Sequence, residues 1–229
     1  MRNLLIRTTT LLFRLYSAIL YRRVSFKDSR FFASRVHVLE GNRVEVNGGW
    51  LHRSSVDVAG TGNSAFIGSV LEDSMVEIRG EGNVLTLKCR ILKGVKLVIK
   101  GSNCRVLIGE DTTMWSGTIV CEGDGKEIVI GRDCMFSDNV DIWNSDTHPI
   151  YDEEGKLLNP PEDVRIGDHV WLCKNVAVLK GVTVGDGAVV GMGSVVTGPV
   201  SAGTLNVGTP SRKLREGIHW ERENASESF

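Results

Sequence analysis

The chain has 229 residues and a formal net charge of −1, so no strong field of either sign points to nucleic acid. Aromatics make up only 7 % and glycines number 26, a balance suited to thin β-coils with many corners rather than one thick core. The five cysteines (Cys89, Cys104, Cys121, Cys134, Cys173) are odd in number and form no CxxC, which reads as a reduced, cytoplasmic protein without disulfides. No Cys/His cluster has metal-ligand spacing, so no metal is expected.

Residues 1–30 differ from all that follows. Leu4, Leu5, Leu11, Leu12, Leu15, Ile19 and Leu20 recur at helical spacing, and Arg2, Arg7, Arg14, Arg22, Arg23, Lys27 and Arg30 face a single acid, Asp28. This predicts a basic amphipathic N-terminal helix. Arg14 breaks its apolar run, which is too short to span a bilayer, and no small-residue cleavage site follows. Two compatible roles stay open: capping the open end of a solenoid, or peripheral contact with the anionic inner face of a membrane.

From about Val36 a β-pattern begins. Three related units end at Asn63, Asn83 and Asn103, twenty residues apart, which reads as an eighteen-residue coil with a two-residue excursion at a glycine-rich corner. Heads of six-residue blocks then recur, at Ile108, Met114 and Val120 and at Ile130, Phe136 and Ile142. The pattern is strictest from Ile166 to Ser201. There an aliphatic residue heads every block (Ile166, Leu172, Val178, Val184, Val190, Val196), and the fifth place is small or β-branched (Val170, Val176, Val182, Ala188, Ser194, Val200). A helix would need apolar spacings of three and four, and Asp168, Lys174, Lys180 and Asp186 exclude a membrane span. A strict six fits a parallel β-helix of triangular section with roughly seven coils, one domain over 31–215.

The register breaks once. Residues 149–165 are polar, carry three prolines and are expected as an extruded loop, the place where a rigid scaffold tends to carry function. His148 stands where coil gives way to loop. Residues 216–229 read as a polar C-terminal tail.

The sixes, together with SDTHPI (Ser145–Ile150), NPPEDVRIGDHVW (Asn159–Trp171), GMGSVVT (Gly191–Thr197) and GTPSRK (Gly208–Lys213), resemble the hexapeptide-repeat acyltransferases. They are most similar to the polysaccharide O-acetyltransferases of the capsule and polysialic acid type. The resemblance covers about residues 36–215, with the specific motifs in the last ninety. It implies a left-handed β-helix, a homotrimer, and acetyl-CoA lying in the groove between neighbouring helices.

It also implies roles. His148 would take the proton from a sugar hydroxyl as that oxygen attacks the thioester carbonyl, and return it to the departing sulfur. Asp146 is a candidate to orient its ring, with Asp141 or a backbone carbonyl as alternatives. Trp171, in the matching VW-x-x-x-N run, would line the pantetheine arm. Gly191, Gly193 and Ser194 would offer backbone groups to it, with Met192 crowding the groove. Arg212 and Lys213 would meet the CoA phosphates. Trp143 and Tyr151 are candidates for acceptor contact, while His169 reads as surface or groove lining and Lys180 as a solvated charge.

The function expected is therefore acetyl-CoA-dependent O-acetylation of a sugar hydroxyl on a bacterial surface polysaccharide, capsule or lipopolysaccharide. N-acetylation of an amino sugar is the alternative, but the nucleotide-sugar-binding front domain common in such enzymes is not seen here. A γ-type carbonic anhydrase needs two histidines close in sequence, whereas His148 and His169 are widely spaced. A non-catalytic β-helix scaffold would leave SDTHP, an exposed Trp171 and the basic GTPSRK end as coincidences.

Overall fold

The computed structural model describes residues 23–223. Within them the chain winds through three sheets of parallel coil strands, two of eight strands and one of ten whose last strand is an antiparallel addition. The first sheet starts at Val24–Lys27, the second at Arg30–Phe32 and the third at Arg35–Val38. This is the left-handed β-helix that the resemblance implies, with about eight turns rather than seven.

The block pattern explains the core. All six block heads from Ile166 to Val196, and all six fifth-place residues from Val170 to Val200, are buried. Both positions point inward because the chain bends sharply between them, so each short face of the triangle contributes a large and a small side chain. Stacked over the coils, these residues join Val44, Leu51, Leu71, Leu97 and Phe136 in one apolar column along the axis. Each enclosed Val, Leu or Ile contributes about 1.5–3 kcal/mol.

The corner between the third and first sheets is where the loop carrying His148 leaves the coil. In the early coils it is built from glycine and asparagine. A Cβ on Gly80 would lie 1.9 Å from the Gly101 carbonyl oxygen, so only glycine lets the coils stack at that spacing. Beside it runs a side-chain ladder. Asn63 donates to Asn42 Oδ1 at 2.8 Å, the Asn83 N–H donates to Asn63 Oδ1 at 2.9 Å, and the Cys104 N–H donates to Asn83 Oδ1 at 2.8 Å. The separations are 21, 20 and 21 residues, so the rung expected at Asn103 falls instead on Cys104. Asn103 itself takes a left-handed conformation at the turn (φ 57°). Further along the axis, past the loop, the coil shortens to 18 residues, as between Asp168 and Asp186.

Three expected boundaries shift. Residues 1–22 of the predicted helix lie outside the described residues, but Val24–Lys27 and Arg30–Phe32 are strands of the first coil, so the solenoid starts before residue 31. Val24 and Phe26 pack against the core in strand alternation, which wins over the helical reading there. The extruded loop leaves after Asn144 and ends earlier than expected, since Val164–Ile166 is already a strand paired with Ile128–Ile130. At the far end the strands Thr204–Gly208 and Ser211–Glu216 form an antiparallel hairpin around a cis Thr209–Pro210 peptide. The segment after it is not a free tail. Trp220 is 6 % exposed and Arg222 reaches back to Asp133, Thr113 and the Asp111 and Cys134 carbonyls. Among the described residues no helix is long and apolar enough to cross a membrane.

Candidate active site

The loop emerges from the corner that the Gly–Asn ladder builds. Asn144, fully buried, continues the ladder's work: its Oδ1 accepts the Glu122 N–H at 2.7 Å and its Nδ2 donates to the Glu122 carbonyl at 2.9 Å. The chain then leaves the coil and returns by Glu162, whose N–H donates to the Asn144 carbonyl at 2.9 Å. Between these two points a cavity of about 250 Å³ opens, lined by Glu122, Gly123, the segment Ser145–Pro149, Leu157, Asn159 and Pro161.

His148 stands in this cavity, exposed, with no partner for its ring nitrogens among the described residues. Its backbone is tightly held. The His148 N–H donates to the Asp146 carbonyl at 2.7 Å, and the His148 carbonyl accepts from Asn159 Nδ2 at 2.9 Å. Ser145 Oγ donates to Glu122 Oε2 at 2.8 Å and accepts the Thr147 N–H at 3.0 Å.

Asp146 does not orient the His148 ring. Its Oδ2 is taken by the Lys180 ammonium, in a short contact, and by Asn159 Nδ2 at 2.9 Å. The Lys180 ammonium and then Asn159 hold the Asp146 carboxyl below the usual range. Lys180 is therefore a structural partner of the site, not a solvated charge; its side chain is only 19 % exposed. Asp141, the alternative orienter, instead accepts the Thr118 N–H at 3.0 Å. Sequence reasoning also missed Glu122 and Asn159. Nothing local marks Glu122, which reaches the site because it lies one coil below Ser145. Asn159 carries a faint signal, a polar residue followed by two prolines that cannot donate backbone hydrogen bonds.

Residues 163–198 match the bacterial transferase hexapeptide family (six repeats). The match covers the strict sixes after the loop, and only that part of the chain. Two curated relatives are polysialic acid O-acetyltransferases. The one from Neisseria meningitidis is 40 % identical over 130 residues, covering 56 % of this chain and 60 % of the relative. The one from Escherichia coli O1:K1 / APEC is 41 % identical over 137 residues, covering 59 % and 44 %. The chain thus matches 60 % of the length of the first and under half of the second. The crystal structure of the polySia specific acetyltransferase NeuO superposes with a TM-score of 0.67 at 28 % identity, covering 89 % of this chain and 91 % of that one.

The remaining expected residues lie away from the His148 cavity. Trp171 is on the second sheet, paired with Met135 and Val189, and half-buried instead of exposed, because Trp220 lies 5.9 Å from it. The Trp171 indole N–H is buried with no acceptor among the described residues. Gly191 and Gly193 have no free N–H to offer, since these donate to the Asn206 and Lys174 carbonyls at 2.8 and 3.0 Å. Ser194 is fully buried in the core column, and its hydroxyl accepts the Gly208 N–H at 3.0 Å. Met192, in contrast, is 69 % exposed. Arg212 and Lys213 do come together, lining a second cavity with Gly198–Ser201, Asn206 and Ser211. Lys213 is paired with Glu216 at 2.7 Å, whereas among the described residues the Arg212 guanidinium meets only the Ser211 carbonyl, at 2.9 Å. Trp143 and Tyr151 do not line the His148 cavity; Trp143 is half-buried on its sheet and Tyr151 is 58 % exposed on the loop. His169, expected as surface or groove lining, is half-buried, with its ring between Asp133 and the Trp220 carbonyl.

Proposed function

We propose that this chain is an acetyl-CoA-dependent O-acetyltransferase acting on a sugar hydroxyl of a bacterial surface polysaccharide, with His148 as general base. The observation that carries the proposal is the His148 imidazole, without a partner among the described residues, in a cavity where the Glu122, Ser145, Asp146 and Asn159 side chains are already hydrogen-bonded. The named activity of the relatives supports the same chemistry, and the polysialic acid in their names supports a polysaccharide acceptor. A neutral imidazole nitrogen takes the acceptor's hydroxyl proton as its oxygen bonds to the acyl carbon, and the same nitrogen gives that proton to the leaving sulfur. Such proton transfer contributes about 10²–10⁴-fold.

Acetyl-CoA supplies the activated acyl group. The residues present fit it in two respects: the Trp171 indole N–H is buried and lacks an acceptor, and the Arg212 guanidinium is exposed for a phosphate. In one protomer neither residue lines the His148 cavity. This supports the homotrimer implied by the resemblance, in which one protomer's His148 would meet donor-binding residues of a neighbour. The five cysteines are free thiols, consistent with a cytoplasmic reaction. A peripheral position on the inner membrane face, through residues 1–30, belongs to the proposal as well.

The test is His148→Ala, assayed by thiol release from acetyl-CoA across a panel of capsule oligosaccharides. Turnover is expected to fall at least a hundredfold with melting unchanged; wild-type turnover would remove the general-base role.

A further inference from the structure

One side chain ties together both flanks of His148. Asn159, at the far end of the loop, donates from Nδ2 to the His148 carbonyl and to Asp146 Oδ2, each at 2.9 Å, and its Oδ1 accepts the Ile150 N–H at 2.6 Å. Both amide protons and the amide oxygen are used, an arrangement no other side chain of that size reproduces. The loop folds back on itself to bring it there: the Leu158 N–H donates to the Ile150 carbonyl at 2.8 Å, and Tyr151 bridges Leu157.

The turn that Asn159 grips is strained. Thr147, immediately before His148, has φ 61°, a left-handed conformation that a β-branched residue avoids. Such a conformation persists only where the surroundings over-determine it, and such residues cluster at functional sites. Here they do so on every side. Ser145 Oγ holds the Thr147 N–H, the Asp146 carbonyl holds the His148 N–H, and Lys180 anchors Asp146 from the following coil. Asn159 closes the set by joining Asp146, His148 and Ile150 in one hydrogen-bonded unit.

We propose that Asn159 is the positioning residue of His148, a clip that holds the strained Thr147–His148 turn so that the imidazole faces the cavity. This rests on the reading of His148 as the base. It assigns the loop a role in placing the catalytic ring, in addition to walling the cavity. Asn159 touches no reacting atom and acts through the backbone of the base.

The experiment compares Asn159→Ala, Asn159→Asp and His148→Ala in the full chain. Misplacing a reacting group by about 1 Å costs on the order of 10²-fold in rate, so Asn159→Ala should lower kcat roughly ten- to a hundredfold. The KM for acetyl-CoA should stay within about twofold, since no donor contact is removed. Asn159→Asp keeps the acceptor for Ile150 but sets a second carboxylate against Asp146. One of two such carboxyls titrates high, so its kcat relative to the parent should recover as pH falls and the shared proton restores a donor. The His148 imidazole resonances should broaden or split in Asn159→Ala while the melting temperature changes little. The proposal is overturned if kcat of Asn159→Ala stays within twofold of the parent, if the loss appears in KM or melting instead, or if the Asn159→Asp ratio is flat with pH. Full turnover by His148→Ala would sink the base assignment itself; an inactive His148→Ala beside a fully active Asn159→Ala would sink only the clip.

Discussion

Trp220 lies flat against His169, with ring centroids 4.0 Å apart and planes 9° from parallel. Its indole N–H donates to the His169 carbonyl at 2.9 Å, while the His169 ring meets Asp133 Oδ2 at 2.7 Å and the Trp220 carbonyl at 3.1 Å. The segment after the terminal hairpin is thus strapped across the outside of the second sheet, where it covers part of Trp171.

Replacing Trp220 by Ala should free this strap without melting the solenoid, because the strap adds no side chain to the axial column. The loss should fall short of the ~3–5 kcal/mol of a fully enclosed Trp→Ala change. Intrinsic fluorescence checks it: Trp171 should become accessible to a soluble quencher while the main unfolding transition shifts by only a few degrees. A collapse of the main transition would show that the strap holds the coils together.

Acid should release the same strap. Burial pushes the Asp133 carboxyl up, but hydrogen bonds from Arg222 and His169 outweigh it and hold the group below the usual carboxylate range. A depressed folded value means the stabilisation is fully present above the ordinary value of about 3.9 and is lost as pH falls through the folded one. Quencher access to Trp171 should therefore stay low at pH 5 and rise only well below pH 4. Arg222→Ala, which removes a principal hydrogen-bond donor, should move that rise to higher pH.

The two cations of the GTPSRK motif should behave differently. Lys213 is committed to Glu216, while among the described residues the Arg212 guanidinium has only a backbone carbonyl as partner. Arg212→Ala should raise the KM for acetyl-CoA about tenfold, the scale of one charge-assisted hydrogen bond, with kcat unchanged because the contact is the same in ground and transition states. Lys213→Ala should change it by less than about threefold. Steady-state kinetics in acetyl-CoA decides, and a kcat-only effect of Arg212→Ala would remove its phosphate role.

Residue order alone carried the architecture, because a β-helix repeats its contacts at a short period. Ile166, Leu172, Val178, Val184, Val190 and Val196 announce an inward column whatever lies outside them, and His148 is marked by the break in that rhythm. The same regularity misled at one point. Asn103 matched its predecessors in sequence while Cys104 took their place in the ladder, because the stacking interval is 20 residues at one rung and 21 at the next. The N–H groups of Gly191 and Gly193 and the Ser194 hydroxyl are engaged by the coil's own hydrogen bonds, which no local pattern announces.

What only the folded chain decided is which distant groups meet. Asn159 reaches His148 across 11 residues of loop, Lys180 reaches Asp146 across 34, and Trp220 reaches His169 across 51. A local pattern determines which face of a coil a side chain occupies, since alternation and turn chemistry act between neighbours. The partner on that face is chosen by where a loop returns and which coil stacks next, and those depend on chain closure over tens of residues.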